Sequence, residues 1–165
     1  MDLKTATAIA EKVKTELAPH CQRIEIAGSI RRKKPNVKDI EIVAIPKPYD
    51  VGLFESGIAT VVNRWKKVKG ELPCKYTQRD LPEGIKLDLF FATPENWGAI
   101  FAIRTGSADF SHKVLATRWK KLGYTSSGGV LSRDGETIYI REERELFELL
   151  GLDWVEPENR EYQEV

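Results

Sequence analysis

The sequence predicts an α+β protein built as two lobes. Three observations predict it: apolar residues recur at helical spacing near the start and at later points, short alternating segments of strand character lie between them, and the texture changes after Thr93 to a smaller region richer in helix. The 165 residues are 41% hydrophobic and 31% charged, with two cysteines and no apolar tract long enough to cross a bilayer. Disordered, collagen-like and membrane-spanning chains are excluded on these figures. Cys21 and Cys74 make neither a disulfide framework nor a CxxC pair, so buried or half-buried free thiols are expected. The start, Met1-Asp2-Leu3-Lys4, runs straight into a helical pattern instead of a secretory signal. A cytoplasmic, nuclear or viral location is expected, and not a secreted one.

Taken in order, Leu3, Ala6, Ile9, Ala10, Val13 and Leu17 form a stripe of period 3.6 that Pro19 closes, which predicts a helix over residues 2–18. Residues 22–28, with Ile24 and Ile26, and residues 38–45, with Ile40, Ile42 and Ala44, alternate as strands on either side of a basic loop. A second stripe (Phe54, Ile58, Val61, Val62, Trp65, Val68) predicts a helix over 53–68. Residues 72–79 and 85–92 then predict a strand pair turned by Leu81-Pro82-Glu83-Gly84. Thr93 before Pro94 has the pattern of a helix cap with proline at the first helical position, and that helix should end near Gly106. Ser107 should cap a third helix carrying Phe110, Val114, Leu115, Trp119 and Leu122, stopped at Gly123. Two short strands joined at Asp134-Gly135 and a helix over 142–150, with Gly151 past its end, complete the reading.

Net charge is +1, which taken alone argues against a polyanionic partner. It conceals an asymmetry: residues 1–141 carry 24 basic and 16 acidic side chains, and residues 142–165 carry two basic and nine acidic ones. A basic body with an acidic tail points mildly toward nucleic acid, against the plainer alternative of a solvated charged surface.

The stretch with most chemical content is Gly28-Ser29-Ile30-Arg31-Arg32, a basic turn through Lys33, Lys34 and Lys38, then Asp39-Ile40-Glu41. Alternation puts Asp39 and Glu41 on one face of a strand. Two unit charges 4 Å apart at an effective dielectric of 20 repel by about 4 kcal/mol, tolerable in water but not on a pocket floor without a cation. Asp88 is a third acid, set in the apolar run Leu87-Asp88-Leu89-Phe90-Phe91, where a buried unpaired charge costs several kcal/mol. If the strand of Asp88 lies beside that of Asp39, three oxygen donors converge, and hard oxygen ligands suit Mg²⁺ in a two-ion phosphoryl-transfer site. At the preceding turn the backbone N–H groups of Gly28 and Ser29, with the Arg32 fork, can receive phosphate. Each part alone is common as ordinary surface; their joint spacing carries the weight.

These residues resemble the X-family DNA polymerases, the polymerase-beta-like branch of the nucleotidyltransferase superfamily. The resemblance rests on Gly28-Ser29-Ile30-Arg31-Arg32, the acid-x-acid pair at Asp39 and Glu41, Leu87-Asp88-Leu89, Thr105-Gly106-Ser107, and Gly123-Tyr124 followed by Glu156-Pro157-Glu158-Asn159-Arg160-Glu161. It implies a nucleotidyltransferase palm, a mixed sheet with helices over residues 1–104, and a small α+β nucleotide-closing lobe over 105–165. It implies that Asp39, Glu41 and Asp88 bind two Mg²⁺, for which Mn²⁺ can substitute, with Asp88 nearest the primer 3′-hydroxyl. Gly28, Ser29 and Arg32 would hold the β- and γ-phosphates of a dNTP, and Arg104, Thr105, Gly106 and Ser107 would border its sugar. The partner would be a DNA primer and template, gapped or with an end, contacted by Arg31, Lys33, Lys34, Lys113, Arg118 and Lys120, and the protein would act as a monomer. Further cationic candidates are Lys38 and, around Trp65, Arg64, Lys66, Lys67 and Lys69.

Four features depart from the family pattern. Glu41 stands where these polymerases usually have Asp. Ile103 and Arg104 stand where two aromatics commonly precede the hinge, so sugar selectivity does not carry over. Ala108, Ser111 and His112 replace polar residues near the nascent base pair, and no segment resembles the lyase or helix-hairpin-helix domains of larger relatives. Two other function classes stand beside polymerisation: nucleotidyl transfer to a small molecule, a protein or an RNA end, and a non-catalytic module that binds DNA ends.

Overall fold

The computed structural model describes residues 1–47 and 57–162. By contact the chain divides into two compact units, Met1–Ala92 and Thr93–Val165. That division coincides with the change of texture at Thr93, while the functional boundary expected after residue 104 falls inside the second unit. Both units mix helix and strand, so the chain is α+β. Among the described residues no helix is long and apolar enough to cross a membrane.

In the first unit, α1 (Leu3–Leu17) is capped by Asp2, whose carboxylate accepts the Thr5 backbone N–H at 2.8 Å, one of the donors a first helical turn leaves unsatisfied. Its stripe Ala6, Ile9, Ala10, Val13 and Leu17 is buried, as the spacing predicts. Pro19 falls in a short turn, Ala18–His20, that leads into β1 (Cys21–Ile26). A single helical turn, α2 (Gly28–Arg31), then precedes β2 (Asp39–Pro46).

The helix expected over 53–68 is realised only in part. Phe54 and the rest of 48–56 lie outside the described residues, α3 spans Gly57–Val62, and Lys66–Lys69 form strand β3 instead. Trp65 and Val68 kept the helical period, but Lys66-Lys67-Val68-Lys69 finds its backbone partners on β4 (Tyr76–Asp80), and pairing overrides the local pattern. Lysines on an edge strand also discourage further strand addition. β4 turns at Leu81–Gly84 into β5 (Lys86–Phe91), the hairpin the sequence predicts.

The sheet order among the described residues is β1-β2-β5-β4-β3. β2 and β5 run parallel and the other neighbours antiparallel, so the sheet is mixed. Ile40, Ile42, Leu87 and Leu89 are fully buried and belong to one core with the apolar residues of α1 and α3. Each such side chain contributes about 1.5–3 kcal/mol on burial. Alternation then dictates that Asp39, Glu41 and Asp88 point to the other face of the same two strands.

In the second unit, α4 (Trp97–Thr105) packs on α6 (Glu143–Leu149). Thr93 is not its cap: the Thr93 N–H donates to Asn96 Oδ1 at 2.7 Å, closing a turn that contains Pro94, and Asn96 stands at the cap position. Gly98 allows the close approach of these elements, because a Cβ there would collide with the backbone of Glu142. Ser107 does cap the next helix, its Oγ accepting the Phe110 N–H at 3.0 Å. That helix is a π-helix over Phe110–Ala116 before α5 (Thr117–Lys121), so Phe110 and Leu115, five apart, are both buried while Val114 is only half-buried.

A strand not expected from the sequence, β6 (Thr125–Ser127), joins β7 (Val130–Arg133) and β8 (Glu136–Ile138) in a small antiparallel sheet. Its β7–β8 turn uses Asp134 at φ 54° and Gly135 at φ 78°, both left-handed, the conformation that suits strand twist in a two-residue hairpin loop. The last segment corrects the picture of an acidic tail. Glu142 and Glu145 form a reciprocal capping box at the start of α6. Beyond α6 the chain returns to the core through Arg160, which is fully buried. Arg160 pairs with the buried Glu143 and donates from Nε to the Val155 carbonyl at 2.9 Å. Its guanidinium lies 4.8 Å from the Trp154 ring centroid and 5.1 Å from that of Phe147, and its own carbonyl accepts the Ser107 N–H at 3.0 Å. Acidic residues are frequent here because several of them serve the fold.

Candidate active site

The first unit brings together four of the residues singled out from the sequence. In the parallel register of β2 and β5, Glu41 lies opposite Asp88 and Asp39 opposite Lys86. The conditional expectation that the strand of Asp88 lies beside that of Asp39 is therefore met. Directly opposed residues share a face, so all three acids project from the side of the sheet turned away from α1 and α3.

Gly28 is tied to the same place. Its φ is +62°, a backbone conformation that glycine adopts without strain, and a Cβ there would run into the Glu41 carboxylate. The Ala27 N–H also donates to the Glu41 carbonyl at 2.8 Å, which stitches the start of α2 to β2. The turn after α2 closes with the Lys33 N–H on the Ile30 carbonyl and the Lys34 N–H on the Ser29 carbonyl, both at 2.9 Å. Ser29, Arg31 and Arg32 are half-buried along this turn, and Lys33, at φ 59°, is exposed at its tip.

The three carboxylates differ in environment. Asp88 is only 7% exposed, and its Oδ1 accepts two hydrogen bonds, from the Tyr76 hydroxyl at 2.6 Å and from Gln78 Nε2 at 2.8 Å. Both donors come from β4, where Gln78 sits directly opposite Asp88 and Tyr76 opposite Phe90. The Tyr76 and Phe90 rings stack at 4.9 Å. Partial burial pushes the Asp39 carboxyl above its ordinary range, and the neighbouring charge of Asp88 adds to the shift against Lys38 and Lys86. The Tyr76 hydroxyl is pushed up as well, first by burial, then by its hydrogen bond to Asp88 and the charges of Asp88, Asp39 and Glu41. One phenol thus senses all three acids.

Three carboxylate side chains on one face of a half-buried strand pair are oxygen donors of the kind that could hold Mg²⁺ or Mn²⁺. As placed, however, no group of three His, Cys, Asp or Glu side chains among the described residues is arranged to hold a metal ion. Glu41 accounts for this in part, since its carboxylate leans toward Gly28. A metal shared with Asp88 would require the Glu41 side chain to turn away from Gly28.

Tyr76 and Gln78 were not singled out from the sequence. The signal was there: counting back across the Leu81–Gly84 turn, Asp80 meets Lys86 and Gln78 meets Asp88. In the same unit Lys66, Lys67 and Lys69 are exposed on the edge strand β3, Lys67 paired with Glu71. His20 packs beside Gly57.

The remaining expected residues belong to the second unit. Arg104 is exposed in the last turn of α4, Thr105 is fully buried, and Gly106 ends the helix, where a Cβ would press on the Phe110 ring. Ser107 is the cap already described. Lys113 is exposed on the π-helix with its ammonium 4.7 Å from the Tyr162 ring centroid, and Lys120 is exposed on α5. Arg118 is half-buried and donates from Nε to the Leu150 carbonyl at 2.7 Å, so this guanidinium closes the end of α6. Both cysteines are free thiols, Cys21 buried and Cys74 half-buried.

Residues 101–161 match the family model described as DNA polymerase beta thumb. The matched interval begins in α4, takes in the Thr105-Gly106-Ser107 turn, the π-helix, the small sheet and α6, and ends just past Arg160. This part of the chain is similar to that thumb. No curated protein matches the chain.

Proposed function

We propose that the chain is a polymerase-beta-like nucleotidyltransferase of the X family that adds dNMP from a dNTP to the 3′-hydroxyl of a DNA primer at short gaps or ends. The observation that carries the proposal is the parallel register setting Glu41 against Asp88, with Asp39 two residues along on the same face. The similarity of residues 101–161 to a polymerase thumb supports it from the other end of the chain. In this reading residues 1–104 act as the palm and 105–165 as the lobe that closes on the nucleotide, hinged at Thr105-Gly106-Ser107.

Asp39, Glu41 and Asp88 would hold two Mg²⁺ ions, which supply charge neutralisation on the phosphoryl oxygens and acidify the attacking hydroxyl. Asp88, facing the primer end, accepts the hydroxyl proton as the 3′-oxygen bonds to the α-phosphorus and pyrophosphate leaves. Gly28, Ser29 and Arg32 receive the β- and γ-phosphates. No protein nucleophile is required, because the protein's part is positioning and electrostatics.

The test is single-nucleotide incorporation by the purified protein with Mg²⁺ or Mn²⁺ on gapped, recessed and single-stranded DNA, using dNTP and NTP sets. Extension of at least one DNA substrate is expected, with Asp88→Asn lowering the rate about 100-fold or more. No extension of any substrate, with Asp88→Asn equal to wild type, overturns the proposal. A second reading, nucleotidyl transfer to a non-DNA acceptor, draws on Glu41 and on Arg104, which departs from the aromatic pair of polymerases. It predicts nucleotide binding without preference for gapped over blunt DNA in a gel shift. The polymerase reading predicts that preference and a steep loss of affinity with salt.

A further inference from the structure

We propose that Tyr76 and Gln78 are positioning residues for the reaction, holding Asp88 so that a single oxygen of its carboxylate, Oδ2, meets the metal and the primer hydroxyl. The inference rests on the functional reading above and adds two residues to it. Both donors end on the same atom, Oδ1, the Tyr76 hydroxyl at 2.6 Å and the Gln78 amide at 2.8 Å. Two bonds to one carboxylate oxygen fix the torsion of the group, which would otherwise be free to exchange its two oxygens.

The scaffold behind these donors is rigid. Gln78 is set opposite Asp88 by the antiparallel register of β4 and β5, and Tyr76 is held by its stack on Phe90 at 4.9 Å. The arms reach Asp88 from a neighbouring strand rather than a loop, which suits a group that must be placed within a fraction of an ångström. The two donors also give a side chain only 7% exposed, set between Leu87 and Leu89, the hydrogen-bond partners that a buried polar group needs. Hydrogen-bond partners of metal ligands commonly matter 10- to 100-fold for affinity or rate.

Tyr76→Phe removes the hydroxyl and keeps the ring stack, so it is the sharpest variant. Gln78→Met removes the amide at similar volume and provides a second, independent one. Mn²⁺ binding by the full chain is measured by electron paramagnetic resonance with the metal alone, and kcat and KM for dNTP are measured on gapped DNA. The urea midpoint serves as a check on folding. The expected result for Tyr76→Phe is Mn²⁺ affinity weakened about 10-fold and kcat lowered by a similar factor. KM for dNTP should stay within about twofold, because the phosphate-binding residues are untouched. Gln78→Met should move the same two quantities in the same direction, and the double variant should cost less than the product of the singles, since both act on one oxygen. Unchanged Mn²⁺ affinity and kcat in both variants, with an active wild type, overturns this inference and leaves the functional reading standing. A wild type that binds no Mn²⁺ and extends no primer overturns both.

Discussion

Removing the guanidinium of Arg160 is the most demanding perturbation of the second unit. Its side chain is fully buried, pairs with Glu143, donates to the Val155 carbonyl and lies over the Phe147 and Trp154 rings. Arg160→Met keeps much of the apolar volume and removes the Arg160 side of the ion pair from the Glu143 carboxylate, which is 8% exposed. Breaking one side of a buried ion pair costs about 3–5 kcal/mol, whereas replacing both partners by apolar groups is often neutral. For a chain of this length the single variant should therefore lower Tm by roughly 6–20 °C. Arg160→Met with Glu143→Leu should regain at least about 2 kcal/mol over the single variant. The assay is urea and thermal unfolding of the three proteins, followed by circular dichroism and tryptophan fluorescence, the latter reporting on Trp154 directly. A single variant within about 1 kcal/mol of wild type, or a double variant no more stable than the single, would refute the buried-pair reasoning. By the same logic, deleting residues 156–165, which removes Arg160, should destabilise this unit.

Other consequences follow from the first unit. Gly28→Ala forces a Cβ onto a +62° φ and into the Glu41 carboxylate, so a loss of about 1–2 kcal/mol in urea unfolding is expected, with slower incorporation at saturating primer; wild-type stability would mean that α2 shifts without cost. Burial pushes the Cys21 thiol from 9.0 up to about 11, the small opposing influence being Lys47. Between those values the unfolded chain loses the proton that the folded chain keeps, so stability falls as pH rises from 9 toward 11, by at most about 3 kcal/mol. Alkylation at pH 8 should accordingly modify Cys74 well before Cys21, and equal rates would contradict the burial. Leu146→Ala, at a fully buried core position of α6, should cost about 2–5 kcal/mol in the second unit and leave Mn²⁺ binding in the first unchanged.

The sequence was most legible where one face of one element settles the matter. The stripe of α1, the β4–β5 hairpin, the Ser107 cap and the glycine stop at Gly151 all follow from spacing and turn chemistry. It misled where a distant partner decides. Val68 fits a helix by period, yet its segment is drawn into a strand by β4. Thr93-Pro94 has the pattern of a cap, yet the cap position is Asn96, three residues on. The π-helix over Phe110–Ala116 shifts the apolar repeat from four to five residues, a change that a 3.6-residue template absorbs without notice.

Local pattern alone determined that Asp39 and Glu41 share a face, because strand side chains alternate whatever lies beside them. It determined too that Asp88 is an acid in an apolar strand in need of partners. Which partners they are depended on strand order: β5 had to be inserted between β2 and β4 before Asp88 could face Glu41 on one side and Gln78 and Tyr76 on the other. The charge of residues 142–165 shows the same division. Composition counts nine acids and suggests a solvated tail. Only the packing of Arg160 against Glu143, Phe147 and Trp154 turns that segment into part of a core, because a contact between residues far apart in the chain leaves no periodic trace in the sequence between them.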